Sequence, residues 1–228
     1  METVSPPHNE WEINNLPNKL TIFRVCLIPV IIVCLILSLT DFSWVLNNRV
    51  TFGYIAGWTF VAASITDFLD GYLARAWRQQ SALGRFLDPI ADKLLVASIL
   101  LVLVGVDRVE GLTVLPAAVI LCREILVSGL REFLAEVDVG MPVSQLAKWK
   151  TVVQMLALGF LMVGPYGPDF GSISTFEIGV YGLWLAALLT LVTGSDYLFH
   201  GLRYIRETDQ APAPKRPISN EKKLKGIQ

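Results

Sequence analysis

Four aspartates, Asp67, Asp70, Asp88 and Asp92, stand within 26 residues of a chain that is otherwise poor in charge. The first two are three apart and the last two four apart, so on a helix each pair shares one face. Carboxylates brought this close repel one another, and each acid set deep in a bilayer costs about 2.5–3.5 kcal/mol on insertion scales. Divalent cations remove both penalties. A donor set made only of oxygen, with neither Cys nor His beside it, suits Mg²⁺ or Mn²⁺, with Ca²⁺ also admissible, over zinc or copper. Four such groups are enough to hold two ions about 3.5–4 Å apart, the arrangement used in two-metal phosphoryl chemistry. The competing reading makes them helix caps and interfacial partners of Arg75, Arg85 and Lys93; four acids in register favour the metal.

The residues between the pairs suit a phosphate ligand. Gly71 follows Asp70 directly and leaves room for a ligand to approach the backbone, although a glycine in a membrane helix also serves as a packing contact. Ala74 is small in the same sense. Arg75, one turn from Gly71, offers a fork of donors matched to phosphate oxygens; its simpler reading is an arginine snorkelling from a helix end. Gly84 is expected to end the connecting loop, and Pro89 to fall in the first turn of the next helix, where its missing N–H does little harm.

Positioning these groups falls to apolar segments. Of 228 residues, 53% are hydrophobic and 17% charged, against about 25% charge in soluble domains, and mean hydropathy is +0.52. That balance excludes disorder, nucleic-acid binding and an ordinary soluble enzyme. Net charge is −1, which predicts no polyanionic partner. Six segments approach the roughly 20 residues that a bilayer crossing needs: about 20–39, 52–74, 88–106, 112–135, 148–163 and 176–199. Pro29 is a potential kink in the first. The start, METVSPPHNE, lacks the basic region and cleavage site of a signal peptide, so the first segment is expected to remain as an anchor. Residues 9–18, with Trp11, Ile13 and Leu16, are read as a short interfacial helix or a disordered leader.

Under an alternating path of six crossings, every Lys and Arg except Arg49 and Arg108 falls on one side, so both termini are expected in the cytoplasm. The expected architecture is an all-α polytopic membrane protein: a leader over 1–18, a six-helix membrane domain over 19–205 and a flexible, basic cytoplasmic tail over 206–228. Cys26, Cys34 and Cys122 lie in apolar runs and are read as buried packing residues. His8 and His200 lie near opposite ends, which argues against zinc or histidine-based catalysis.

Asp67, Asp70, Gly71, Ala74, Arg75, Gly84, Asp88 and Asp92 match DxxDGxxAR(x)8GxxxDxxxD, and on these positions the chain resembles the CDP-alcohol phosphotransferase family. LPNKLTIFR (16–24), CREILVSGLRE (122–132) and KWKTVVQM (148–155) resemble the branch whose acceptor is glycerol 3-phosphate. The resemblance spans most of the membrane part and leaves out the leader and tail. It implies that an acceptor hydroxyl attacks the β-phosphorus of CDP-diacylglycerol and releases CMP. It also implies that Asp67, Asp70, Asp88 and Asp92 ligate two Mg²⁺ or Mn²⁺ ions, with Asp92 taking the hydroxyl proton as catalytic base. Gly71, Ala74, Arg75, Ser81 and Gly84 would bind the CDP-diacylglycerol. A homodimer in the inner (plasma) membrane, with the site at its cytoplasmic face, is implied as well.

An acceptor such as sn-glycerol 3-phosphate brings about two further negative charges, so it needs a cationic pocket of its own. Thr21, Arg24, Arg123, Arg131, Lys148 and Lys150 are the candidates on the aspartate side. Arg123 follows an apolar run and would be expensive against lipid, although Glu124 and Glu132 are placed to neutralise Arg123 and Arg131. Lys148 and Lys150, two apart, cannot both point the same way on a helix. Serine, inositol phosphate and phosphatidylglycerol are the alternative acceptors within the family. A divalent-cation transporter is the rival from another class, but it needs polar groups continuing to the far face, and LLVASILLVLV and VLPAAVI offer none.

Overall fold

The computed structural model describes residues 16–39, 45, 47–77, 82–137, 139 and 144–210, with backbone alone at 16–18, 67–77, 82–85, 88, 165, 200, 204–205 and 207–210. Six long helices appear among them: α1 (Leu16–Leu37), α2 (Arg49–Trp77), α3 (Ala82–Gly105), α4 (Val114–Glu136), α5 (Gln145–Val163) and α6 (Thr175–Gln210). Short 3₁₀ turns at Gly111–Thr113 and Gly164–Tyr166 lead into and out of the bundle, and the described residues contain no strand. The expected all-helical class is therefore the observed one, and each apolar segment coincides with a helix. Four stretches, Lys19–Leu37, Gly111–Glu136, Gln145–Val163 and Thr175–Arg203, are long and apolar enough to cross a membrane.

The inward faces follow from spacing. On α1 the buried positions include Thr21, Arg24, Ile28, Ile31 and Leu35, alternating three and four apart, so they form one stripe. Along α5 the stripe is Lys150, Gln154, Ala157, Leu158, Leu161 and Met162. In both helices the polar residues sit at the N-terminal end and the apolar ones beyond. α1 packs on α2 and α3, α6 on α5 and α4, and the two groups meet where α2 touches α5 and α3 touches α4. Phe60, Leu95, Ile99, Leu103, Ile120, Leu158 and Leu183 fill the centre between them. The outer surface also carries many large apolar side chains: Trp58, Leu101, Trp149 and Phe199 are each at least 66% exposed. A water-soluble protein does not carry so extensive an apolar surface, whereas lipid accepts it. These helices build a multi-pass membrane protein.

Helix ends are satisfied locally. Ser174 and Glu177 form a capping box at the start of α6: the Glu177 N–H donates to Ser174 Oγ at 3.2 Å and the Ser174 N–H to Glu177 Oε2 at 2.8 Å. Ser144 caps α5 by accepting from the Ala147 N–H. At the other end of α5, Arg108 Nη1 donates to the carbonyls of Leu161 and Met162 at 3.2 and 3.4 Å, placing a cation on the negative end of that helix. Gly164, at φ +53°, ends α5, and a side chain there would collide with the same guanidinium. Tyr166 lies under Arg108, accepts through its carbonyl from Tyr54 Oη and donates its own hydroxyl to the Ser38 carbonyl, so four segments are tied at this end.

Several expectations change. α3 begins at Ala82, so Gly84 lies in its first turn rather than ending a loop, and Pro89 is interior rather than in the first turn. A proline removes one i→i−4 bond, here to the carbonyl of residue 85, and membrane helices carry such a loss when neighbouring elements compensate. Cys26 and Cys122 are exposed and Cys34 half-buried, not core residues. An apolar run does not tell core from lipid, because both are equally apolar. α6 continues to Gln210, five residues into the stretch read as tail, while the leader with Trp11 and Ile13 and the tail from 211 onward lie outside the described residues.

α5 and α6 approach closely because glycine faces the contact. A Cβ on Gly179 would stand 2.9 Å from the Leu161 backbone nitrogen, which cannot swing away. Gly179→Val is therefore expected to lower stability by about 1–3 kcal/mol, read as earlier thermal unfolding in detergent. Gly105→Ala, with nothing within 4 Å, should melt with the parent protein; equal melting of both variants would refute this packing.

Candidate active site

The C-terminal part of α2 carries Asp67 and Asp70, and the N-terminal half of α3 carries Asp88 and Asp92. Asp92 is the one whose side chain is described: half of it is exposed, and Arg24 Nη1 of α1 reaches its Oδ1 at 2.6 Å. Arg24 itself has no exposed surface. A guanidinium this deep requires an anion, and Asp92 supplies one across the α1–α3 packing. The side chains of Asp67, Asp70, Ala74, Arg75 and Asp88, the surroundings of Gly71 and Gly84, and the whole of Ser81 lie outside the described residues. Among the described residues no three metal-capable side chains cluster.

Beside Asp92 lies a cavity of about 440 Å³ between α3, α4 and α5. Its wall includes Asp92 and Lys93 from α3, Arg123, Glu124 and Arg131 from α4, and Lys148, Lys150 and Gln154 from α5. Four of the six residues expected to bind an acceptor phosphate, Arg123, Arg131, Lys148 and Lys150, thus share one recess with the expected base. Thr21 and Arg24 do not line it: both are buried in α1, and Arg24 is engaged with Asp92. Lys150 is buried and Lys148 exposed, as two-residue spacing on a helix requires.

The charges are arranged around one acid. Glu124 Oε1 pairs with Lys150 and lies 3.5 Å from Arg123 Nη1. Arg123 Nη2 also donates to Thr193 Oγ1 of α6 at 3.1 Å, and Gly194 makes room for the arginine, since a Cβ there would stand 2.9 Å from its Cγ. Arg123 Nε is buried with no partner among the described residues. Arg131 lies over the Tyr197 ring, 5.5 Å from its centroid. Glu132, expected beside Arg131, instead takes Lys93 at 3.3 Å. The sequence reading missed Gln154, which lines this recess, and Thr193, which holds Arg123 behind it. For Gln154 the signal was its four-residue spacing from Lys150, which puts both on one face. Thr193 carried none, because only the fold brings α6 beside α4.

A second recess, of about 300 Å³, lies between α2 and α5 and is lined almost wholly by apolar side chains such as Trp58, Phe60 and Leu156. It has no group suited to acid–base or phosphoryl chemistry. The polar cavity can do three things: hold an anion on Arg123 and Lys150, accept a proton at Asp92, and admit a small solute from the polar end of the bundle.

Comparison with known proteins agrees. Residues 14–192 match the CDP-alcohol phosphatidyltransferase family. The CDP-diacylglycerol–glycerol-3-phosphate 3-phosphatidyltransferase of Rickettsia felis is 46% identical over 183 residues, covering 80% of this chain and 93% of that protein. The proteins of the same name from Salmonella choleraesuis and Cereibacter sphaeroides are 40% and 34% identical over 186 and 225 residues. Those matches cover 81% and 85% of this chain and 93% and 98% of theirs.

The Glu124 pairing is open to test. Glu124→Gln leaves buried Lys150 near Arg123 with no anion between them, and a loss of about 1–3 kcal/mol is expected. Glu124→Gln combined with Lys150→Met should recover most of it in the same thermal unfolding measurement; a single variant as stable as the parent would overturn the pairing.

Proposed function

The chain belongs to the CDP-alcohol phosphatidyltransferase family, and from that premise we propose that it transfers the phosphatidyl group of CDP-diacylglycerol to sn-glycerol 3-phosphate, giving phosphatidylglycerophosphate and CMP. The observation that carries this reading is the shared cavity of Asp92, Arg123 and Lys150. An anionic acceptor held on the two cations would stand beside the carboxylate that takes its proton. Serine offers no phosphate for those cations, which favours a phosphorylated acceptor over that alternative. The names of the relatives favour glycerol 3-phosphate in particular.

In the proposed reaction the C1 hydroxyl oxygen of glycerol 3-phosphate bonds to the β-phosphorus. The bond from that phosphorus to the oxygen bridging it to CMP breaks, CMP departs with the electron pair, and the hydroxyl proton passes to Asp92. Arg24 acts as a positioning residue: its 2.6 Å bond restrains the Asp92 carboxylate against α1. Arg123 and Lys150 hold the acceptor phosphate, with Glu124 restraining both cations between turnovers. Arg131, Lys93 and Lys148 add positive potential at the rim. Gly71, Ala74, Arg75, Ser81 and Gly84 are assigned to the donor's cytidine diphosphate by the family pattern, with the acyl chains left in the bilayer.

The donor chemistry of the motif fits divalent metal, since it offers only carboxylate oxygens. Asp67, Asp70, Asp88 and Asp92 would hold two Mg²⁺ or Mn²⁺ ions, which when bound would neutralise charge developing on the diphosphate. We further propose six crossings with both termini in the cytoplasm, the site at the cytoplasmic face of the inner membrane, the membrane domain at 19–205 between a leader and a tail, and assembly as a homodimer. The apolar inward residues of the far half, including Ile31, Leu35, Ile99, Leu103 and Leu161, weigh against an ion path through the bundle.

The direct test incubates purified protein with Mg²⁺, CDP-diacylglycerol and a panel of acceptors and measures CMP release. Asp92→Asn should abolish release, and Asp67→Asn should also weaken metal binding; normal turnover by either removes the assigned role. Arg123→Ala should raise KM for glycerol 3-phosphate about tenfold or more, the loss of one charge-assisted contact, with a smaller effect on CDP-diacylglycerol. Equal shifts for both substrates would place the acceptor elsewhere.

A further inference from the structure

Gln154 is a buried polar group of the cavity to which nothing above gives a role. Gln154 lies on the inward stripe of α5, one turn beyond Lys150, is 2% exposed and lines the recess with Asp92 and Arg123. Its Oε1 is buried and has no hydrogen-bond partner among the described residues. Burying an amide oxygen without a partner costs free energy comparable to a lost hydrogen bond, and native proteins leave few such groups. The apolar residues that continue the stripe, Ala157, Leu158 and Leu161, show that a leucine would be at home on this face. The amide is therefore matched to something that enters the cavity.

What enters must donate a hydrogen bond, because a carbonyl oxygen only accepts. A phosphate dianion has no proton to offer and has Arg123 and Lys150 as its own partners. The hydroxyl that reacts must face Asp92. Of the acceptor proposed above, one donor remains: the second hydroxyl, which keeps its proton throughout the reaction. We propose that Gln154 recognises the non-reacting C2 hydroxyl of glycerol 3-phosphate and so selects a polyol phosphate over an acceptor that lacks that group. This rests on glycerol 3-phosphate being the acceptor. It makes Gln154 a specificity-determining residue, with no part in moving the proton or in binding the donor lipid.

The experiment compares two acceptors, glycerol 3-phosphate and propane-1,3-diol monophosphate, which keeps the phosphate and the reacting hydroxyl and lacks the C2 hydroxyl. CMP release is followed at saturating CDP-diacylglycerol for the parent enzyme, Gln154→Leu and Gln154→Met. A site built to pair with a hydroxyl discriminates against the analogue because its own polar group is then left unpaired. The parent is expected to prefer glycerol 3-phosphate by about tenfold to a hundredfold in kcat/KM, and both variants should bring the ratio close to one, chiefly by losing activity on glycerol 3-phosphate. The ratio is independent of how much of a variant is folded, so a poorly folding variant still reports. An unchanged ratio in both variants would overturn the proposal and assign the Gln154 oxygen to an internal water. If the parent released CMP with another acceptor and none with glycerol 3-phosphate, the functional reading would fail first and this inference with it.

Discussion

A guanidinium with no exposed surface, that of Arg24, sits inside the helix bundle, and the polar end of this protein must pair such buried charges. Arg24 is tolerable there because Asp92, carried by a different helix, meets it at 2.6 Å. In a low-dielectric interior an unpaired charge is far more costly than in water, while a paired one is strongly held. The bond therefore ties α1 to α3 and restrains the carboxylate assigned the proton. Glu124 solves the same problem between Lys150 of α5 and Arg123 of α4. Five ionisable groups on four helices are thus held at one end by mutual neutralisation.

The opposite end obeys the same rule without acids. Arg108 is buried where α3 turns toward α4, and its partners are the carbonyls of Leu161 and Met162 at the end of α5 and the ring of Tyr166. Tyr54, Tyr166 and Ser38 complete a set of backbone-directed bonds that close the bundle. Between the two ends lies an apolar centre of Ile, Leu, Ala and Phe side chains.

Much of this was legible in the sequence. The apolar runs marked all six long helices, missing by six residues the start of α3 and by eleven the end of α6, and the spacing of Lys148 and Lys150 required that they face different ways. What went astray did so for physical reasons. Cys26 and Cys122 sit in apolar runs yet face outward, because in a membrane protein hydropathy marks both surfaces of a helix alike. Pro89 and Gly84 suggested a helix start, but a single lost hydrogen bond is a weak breaker where the alternative is unpaired backbone in an apolar medium. Glu132 looked like the neighbour of Arg131 along the chain, whereas it reaches Lys93 on another helix and Arg131 turns to an aromatic ring.

The sequence by itself determined the class of protein and the family to which it belongs, because these depend on composition and on spacing along single helices. Only the tertiary structure decided which cations share a cavity with Asp92, that Arg24 bonds that aspartate, that Gln154 lines the same cavity and that Thr193 bonds Arg123. Those are contacts between helices far apart in the chain. They are set by how inward stripes interlock in three dimensions, which the period of any one stripe does not specify.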